Sequence, residues 1–528
     1  MLPVEADPFC SLELYLKQLS GEGTVVPGIP MWLSVGAVVA ILLVSHLLVR
    51  FGTASWGQVL NGRSGANSGG LVRFDLLTRL ARKPIFPIMV QSFSVLMLLL
   101  VIISGLFGHE KNSIGPVLTW TWWWALLVFM ILGFGNAFCM VCPWEAFSSL
   151  ITSLSLRSRV KKLCFDIPWP KWARNVIPAA ALFVGLTWLE LGRDVTHSAS
   201  VTAILALGMT GAAVLTAIIF EKRAFCRYVC LVGRVSGIYS LFSPVELRPD
   251  SAEVCRQCTS KACYHGTETT APCPTNLFPG NLKENNYCTL CTECVRSCPH
   301  ENLSLRTRPL GRDLFNRDRF SWDESLLVVL LLALTSFHGF TMTPIWARLN
   351  QWLRAETGMG ASIVFTLLMG LMIVLPMLVF WGSASMSMAL TRDTNTSIRK
   401  IFRAYAYSLI PVALFYHLAH NSMHFFLEAG SIIPLLSDPL GKGWDLFGTA
   451  HQTYGPLLRL ESIWWMQIVF IVIGHVYGVL VADRISGRIF QKESDRSRGL
   501  FPLLGVMILY SCFSVWLISQ PMDMKTAM

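Results

Sequence analysis

Cys288-Thr289-Leu290-Cys291-Thr292-Glu293-Cys294-Val295-Arg296-Ser297-Cys298-Pro299 is the stretch on which the reading of this chain turns. Three thiols recur at every third position, a fourth follows after three more residues, and a proline then turns the chain. Such close spacing lets three side chains converge on one face of a common centre while the fourth is held away. A looser run lies upstream, with Cys255 and Cys258, then Cys263, then Cys273 followed by Pro274. These eight are more than half of the 15 Cys in the chain. In an oxidising compartment that density means disulfides, and in a reducing one it means metal, so topology decides between them.

Working outward, the flanks belong to a membrane protein. Of 528 residues, 53% are hydrophobic and only 14% charged, against about 25% charged in ordinary soluble proteins. A bilayer core of roughly 30 Å needs about 20 apolar residues per helix. Ten segments qualify: Met31–Val49, Ile85–Phe107, Trp120–Val141, Val176–Leu191 (the shortest), Val201–Phe220, Leu326–Met342, Ile363–Trp381, Ala404–Leu427, Ile463–Ala482 and Leu500–Ile518. Loops rich in Lys and Arg alternate with poor ones. The stretches 50–83 and 157–174 hold six each, 222–319 fourteen, 392–403 four and 484–498 five. The positive-inside rule therefore puts the cysteine-rich insertion in the cytoplasm, where thiols stay reduced, and both termini outside. The +11 net charge is then a basic cytoplasmic rim, not a nucleic-acid surface.

The fold expected is mostly α: a polytopic membrane helix bundle of about ten spans carrying a cytoplasmic insertion. Residues 1–30 form an acidic outer tail that lacks the basic start of a secretory signal. Residues 31–243 form a first membrane domain of five spans, 244–320 the insertion, and 321–528 a second membrane domain of five spans. Residues 52–70 are rich in Gly, Ser and Asn and read as a flexible inner loop.

The run Cys288–Pro299 resembles the C-x2-C-x2-C-x3-C-P segment of bacterial ferredoxins at every position. The resemblance covers roughly 45 residues and implies two [4Fe–4S] clusters. In two-cluster ferredoxins the fourth Cys of each run serves the other cluster. Carried over, Cys288, Cys291, Cys294 and Cys273 would hold one cluster, and Cys255, Cys258, Cys263 and Cys298 the other. A structural zinc site is the competing reading. Zinc favours two separated C-x2-C pairs and has no need of a third closely spaced thiol or a trailing Cys-Pro in both runs.

Two further thiol pairs sit where spans meet the cytoplasm: Cys139-Met-Val-Cys142-Pro143 and Cys226-Arg-Tyr-Val-Cys230. Together with the insertion, they resemble a group of membrane-bound ferredoxin-type proteins, the NapH/NosR/RdxA group. It includes the quinol-oxidising proteins of periplasmic nitrate reduction, a regulator of nitrous-oxide reductase and an oxidase-assembly protein. The likeness spans about residues 120–308. It departs from the group's paired C-x3-C-P motifs in two places: the first pair has a two-residue spacer, and Leu231 stands where a Pro is expected. The four thiols could close one metal site, cycle as dithiols, or be buried structural thiols.

Beyond the resemblance, an ionisable group inside a span is a functional hypothesis by default. One span carries His417, His420 and His424, and another carries His475 between Gly474 and Gly478. His417 and His475 fall near mid-membrane and are the expected axial pair for a haem b, with the glycines relieving crowding against the macrocycle. His420 and His424 are candidates for a haem or quinone pocket. Proton carriage and plain structural roles stay open for all four. His338 and His46 read as lone structural residues, and the Trp runs as interface anchors.

No dinucleotide fingerprint or phosphate-binding loop is present. The expected function is electron transfer between a soluble cytoplasmic carrier or dehydrogenase and a quinone or haem site in the inner membrane of a bacterium. Lipid surrounds the chain, and quinone or a periplasmic redox protein is the other partner. A redox-active assembly or regulatory protein is the alternative. A redox-gated transporter ranks last, because few acidic residues lie near spans beyond Glu190 and Asp483.

Overall fold

A computed structural model describes residues 25–51, 72–157, 164–193, 195–221, 223–268, 270–391 and 396–523. The expected outer tail and the Gly/Ser/Asn-rich inner loop fall almost wholly outside these residues. The protein is mostly helical. Among the described residues, nine helical segments are long and apolar enough to cross a membrane: Met31–Leu48, Ile85–Phe107, Ile114–Val141, Ala199–Ile219, Trp322–Thr341, Ala361–Leu390, Ile398–Ser437, Leu460–Ile489 and Glu493–Ser519. The shortest expected span is the apolar helix Ile177–Gly192, too short to be counted with the nine.

The helices overrun the apolar windows because good capping residues lie beyond them. Ser397 accepts a hydrogen bond from Lys400 N at 3.3 Å and starts the helix Ile398–Ala406, the expected role of an N-cap hydroxyl. Thr343 likewise accepts from Trp346 N, ahead of Pro344 at the first position of helix Pro344–Thr357.

The described chain divides into two compact units. One comprises residues up to 52, 184–198 and 328–528; the other comprises 53–183 and 199–327. Each unit is interrupted in sequence by the other.

In the first unit, strand β1 (Val25–Val26) pairs antiparallel with a strand at the far end of the chain, Met522–Asp523. These strands lie just before the first span and just after the last, so the pairing brings both to one face. The apolar core joins Leu33, Ala37 and Ile41 to Tyr416, Ala419, Met423, Ile468, Ile471 and Ile518. Helices Leu409–Glu428 and Leu460–Ile489 pack closely. A Cβ at Gly474 would meet Phe415 Cβ at 2.7 Å, and one at Gly478 would meet Val412 Cγ2 at 2.8 Å. These glycines are taken up by helix packing, not by space for a flat macrocycle.

In the second unit, helix Ile85–Phe107 exposes Ile88, Met89, Phe93 and Leu96, which a lipid environment covers. The cysteine-rich insertion is closed by β2 (Val245–Pro249) and β3 (Leu303–Thr307), which pair antiparallel from Val245↔Thr307 to Pro249↔Leu303. Leu247, Leu290, Val295, Leu303 and Leu305 form its small core. Helix Asp75–Arg82 docks on β3 through Phe74 N to Leu305 O at 3.0 Å and Thr307 N to Val72 O at 2.9 Å. So small a core needs further ties, and buried charge supplies them. Arg308 pairs with Asp313 at 2.6 Å, and Arg306 with Glu246 at 2.9 Å. Burial pushes Glu246 up, but Arg248, Arg308 and Arg306 outweigh it and hold the carboxyl below its usual range. Its contribution is therefore present above the ordinary carboxylate range and is lost as pH falls through the lowered value.

Candidate functional site

The eight cysteines of the insertion fall around two separate hollows. Cys255, Cys258, Cys263 and Cys298 line one, with Val254, Phe278 and Leu303. Cys273, Cys288, Cys291 and Cys294 line the other, with Leu247, Leu277 and Leu290. Local backbone makes this possible. Leu290 (φ 50°) and Thr292 (φ 63°) are left-handed on either side of Cys291, Lys261 (φ 42°) precedes Cys263, and Asn276 (φ 57°) follows Cys273. Non-glycine residues seldom adopt that region, and a cluster of them marks a loop bent by what it encloses.

The donor set suits a bulky cluster better than a single ion. A zinc–sulfur bond of about 2.3 Å would draw four sulfurs to within about 4 Å of one another. Among the described residues, no three thiols lie that close; the one set of three or more ligand atoms within 4.8 Å of each other is histidine. Hydrogen bonds already point at the sulfurs: Asn302 Nδ2 donates to Cys255 Sγ at 3.4 Å, and Leu277 N to Cys273 Sγ at 3.3 Å. Such bonds tune cluster potentials. Burial pushes the Cys263 and Cys291 thiols up to about 12. Cys258 is held below its usual value, chiefly by a hydrogen bond with Ser260. Thiols this crowded and buried ionise together only against added positive charge. No disulfide joins any described cysteine.

The two membrane-edge pairs share one construction. Cys139 lies in the short helix Phe138–Val141, and Cys142 immediately precedes helix Pro143–Arg157. Cys226 lies in a wide turn, Phe225–Val229, and Cys230 caps helix Leu231–Tyr239, accepting from Gly233 N at 3.5 Å. Pro143 and Leu231 therefore hold equivalent first helical positions, where Pro is favoured but not required. Asn136 ties the pairs together, accepting from Cys139 Sγ at 3.1 Å and from Ser236 Oγ at 2.5 Å. Glu145 does the same on the other side: it ion-pairs with Arg223 and accepts from Cys226 Sγ at 3.4 Å. Burial, then the neighbouring Cys230, Cys142 and Cys139, push the Cys226 thiol up. Cys139 is in turn an electrostatic neighbour of Cys291. Asn136, Glu145 and Arg223 carry no spacing signal and were not legible as site residues.

A cavity of about 900 Å³ lies against this region. Pro87, Ile88, Val95 and Leu96 of a spanning helix form its apolar wall. Arg82, Gln91, Glu145, Arg223, Glu293 and Arg296 bring polar groups to it, and Cys291 borders it. Its size falls within the range of ligand sites, and its mix of apolar wall and few polar groups is typical of them.

In the other unit, two of the histidines contact hydroxyls and two meet a third histidine. His417 Nε2 lies 2.8 Å from Thr335 Oγ1, whose own proton goes to Leu331 O, so the imidazole is the donor. His475 is buried, with Nε2 at 2.7 Å from Ser45 Oγ and Nδ1 at 2.9 Å from Ser511 Oγ. To ligate an iron, either would give up such a bond. His420 and His424 meet His338, which the sequence left as a lone residue. His46 is exposed on its helix.

Among curated proteins, the chain is 32% identical over 122 residues to "Putative electron transport protein YccM" of Escherichia coli (strain K12). The match covers 23% of this chain and 31% of that relative, so the chain spans under a third of the relative's length. No protein-family profile matches the chain, and no solved structure matches it.

Proposed function

We propose that this chain is a membrane electron-transfer protein in which two [4Fe–4S] clusters link a soluble cytoplasmic carrier to a quinone at the membrane edge. The observation that carries the reading is the partition of eight thiols between two hollows, one of which shares Cys291 with an amphipathic cavity. When bound, each cluster would supply one-electron storage. The chain's own residues do the rest. The two cysteine sets would hold the clusters, and the left-handed turns at Leu290 and Thr292 bend the loop around them. The apolar wall of helix Ile85–Phe107 would admit a lipid-soluble ring, Gln91 and Arg296 would bond its oxygens, and Glu145 and Glu293, ion-paired with Arg223 and Arg296, would pass protons. The likeness to a relative named for electron transport supports the class of activity.

In this reading the insertion faces the cytoplasm of a bacterial inner membrane and the paired end strands face outward, because the loops rich in Lys and Arg lie on the insertion's side. The chain then acts as in the quinol-oxidising ferredoxin-type proteins it resembles. A second reading rests on the closeness of Cys139, Cys142, Cys226 and Cys230 to one another and of Cys139 to Cys291: a redox-active assembly or sensing protein working on a metal at those thiols.

The test is low-temperature EPR with iron and acid-labile sulfide counts on the purified protein, before and after a reduced quinol analogue. Two cube-type signals that change with quinol support the proposal. Signals indifferent to quinol but responsive to added copper favour the second reading. Zinc without sulfide removes both.

A further inference from the structure

We propose that His338, His420 and His424 form a binding site for a divalent transition-metal ion of the zinc–copper class, separate from the thiol sites. The three imidazoles come from two helices, Trp322–Thr341 and Leu409–Glu428. Each offers a ring nitrogen within 4.8 Å of the other two. His420 and His424 are one helical turn apart and so share a face, while His338 reaches them from the neighbouring helix.

Two observations show that hydrogen bonding does not account for this gathering. The Nε2 atoms of His420 and His424 are buried and lack any hydrogen-bond partner. A buried nitrogen without a partner forfeits the hydrogen bond it had to water, so two side by side call for a ligand. The rings also touch one another directly. Centroids are 4.7 Å apart for His338 and His420, 4.9 Å for His420 and His424, and 6.2 Å for His338 and His424. Axial histidines of a haem stand on opposite faces of a macrocycle. Rings in edge contact leave no such slot, whereas a single ion needs only a point of convergence.

Second neighbours fit an ion as well. His424 Nδ1 faces Glu428 Oε1 at 3.5 Å. A carboxylate behind a histidine fixes the ring and leaves the other nitrogen to ligate. Glu190 is an electrostatic neighbour of His424. The two carboxylates offset the charge an ion brings to three neutral ligands. Imidazole ligands suit zinc, copper, nickel and iron, and three histidines with one open position are an established zinc arrangement.

Cobalt(II) and zinc(II) are the probes, applied to purified full-length protein with its iron–sulfur content measured alongside. The wild type is expected to retain one Co²⁺ per chain with visible d–d bands, which the double variant His420→Ala/His424→Ala loses. Because that variant removes buried groups, two milder ones accompany it. His338→Gln is expected to lose the same equivalent, and Glu428→Gln to weaken it about tenfold. His417→Gln is expected to keep it. Iron and sulfide stay constant throughout, so this site and the cluster reading fail independently. Equal Co²⁺ retention in His338→Gln and wild type would overturn the proposal, as would bound Co²⁺ showing a thiolate charge-transfer band indifferent to the histidine changes.

Discussion

The two units of this protein gather their ligand-type residues in opposite ways. In one, eight thiols hang from a single loop system whose backbone bends through left-handed residues at Lys261, Asn276, Leu290 and Thr292. In the other, histidines project from regular helices and meet only because the helices pack. A loop site is written in consecutive spacing and stays together while its own turns hold. A helix site exists only when the bundle is assembled.

The largest expected effect separates the hollows of the loop site. Cys291→Ser is expected to remove about half of the iron and sulfide while leaving membrane insertion intact. Cys298→Ser is expected to remove the other half, with the complementary EPR signal lost, although both residues lie in one motif. Loss of the same signal in both variants would break the crossed assignment.

Next comes thiol reactivity in protein stripped of iron. The thiolate is the nucleophile, and a raised pKa means less of it at neutral pH. Cys258, half-buried and held low, is expected to alkylate first. Cys263 and Cys291, pushed up to about 12, are expected to lag on the order of a hundredfold or more, and to speed up as pH rises toward that value. Mass-spectrometric labelling at several pH values reads this directly. Equal rates at the three sites would mean that the loop opens once the iron is gone.

A smaller effect tests the cavity. Val95→Trp fills it from the spanning helix and is expected to slow quinol-linked reduction roughly tenfold, about 1.4 kcal/mol in barrier, with iron and sulfide unchanged. An unaltered rate would move the quinone elsewhere.

The smallest is His475→Ala, which takes one partner from the buried hydroxyl of Ser45, still bonded to Ile41 O, and another from Ser511, and is expected to cost about 1 kcal/mol of stability. Thermal unfolding in detergent measures it. If the variant instead loses a b-type absorption band, the axial role read from the sequence is restored, and the contrast between hydroxyl-held and convergent histidines falls.

Much of this was legible beforehand, for a physical reason. Hydrophobic runs such as Ile85–Phe107 were read to the residue, because a bilayer imposes length and polarity locally. The grouping expected for the eight cysteines is what the resemblance to two-cluster ferredoxins implies; in the structure Cys255, Cys258, Cys263 and Cys298 line one hollow and Cys273, Cys288, Cys291 and Cys294 another. What escaped was anything made by packing between distant segments. His338 lies 82 residues from His420 in the chain and carries no local mark. Glu145 and Arg223 look like ordinary rim charges until they pair. Gly474 and Gly478 were noticed, but sequence alone does not say whether a small residue faces a cofactor or a neighbouring helix.

The pairing of Val25–Val26 with Met522–Asp523 has a bearing on biogenesis. Nearly five hundred residues separate the two strands, so the pairing waits until all of them have been made. The thiol-bearing unit is complete in sequence by residue 327, while the first spanning helix still lacks most of its final neighbours. The thiol-bearing loop can therefore fold before that pairing forms, and a chain cut short of Met522 would leave Val25 and Val26 without their strand partner.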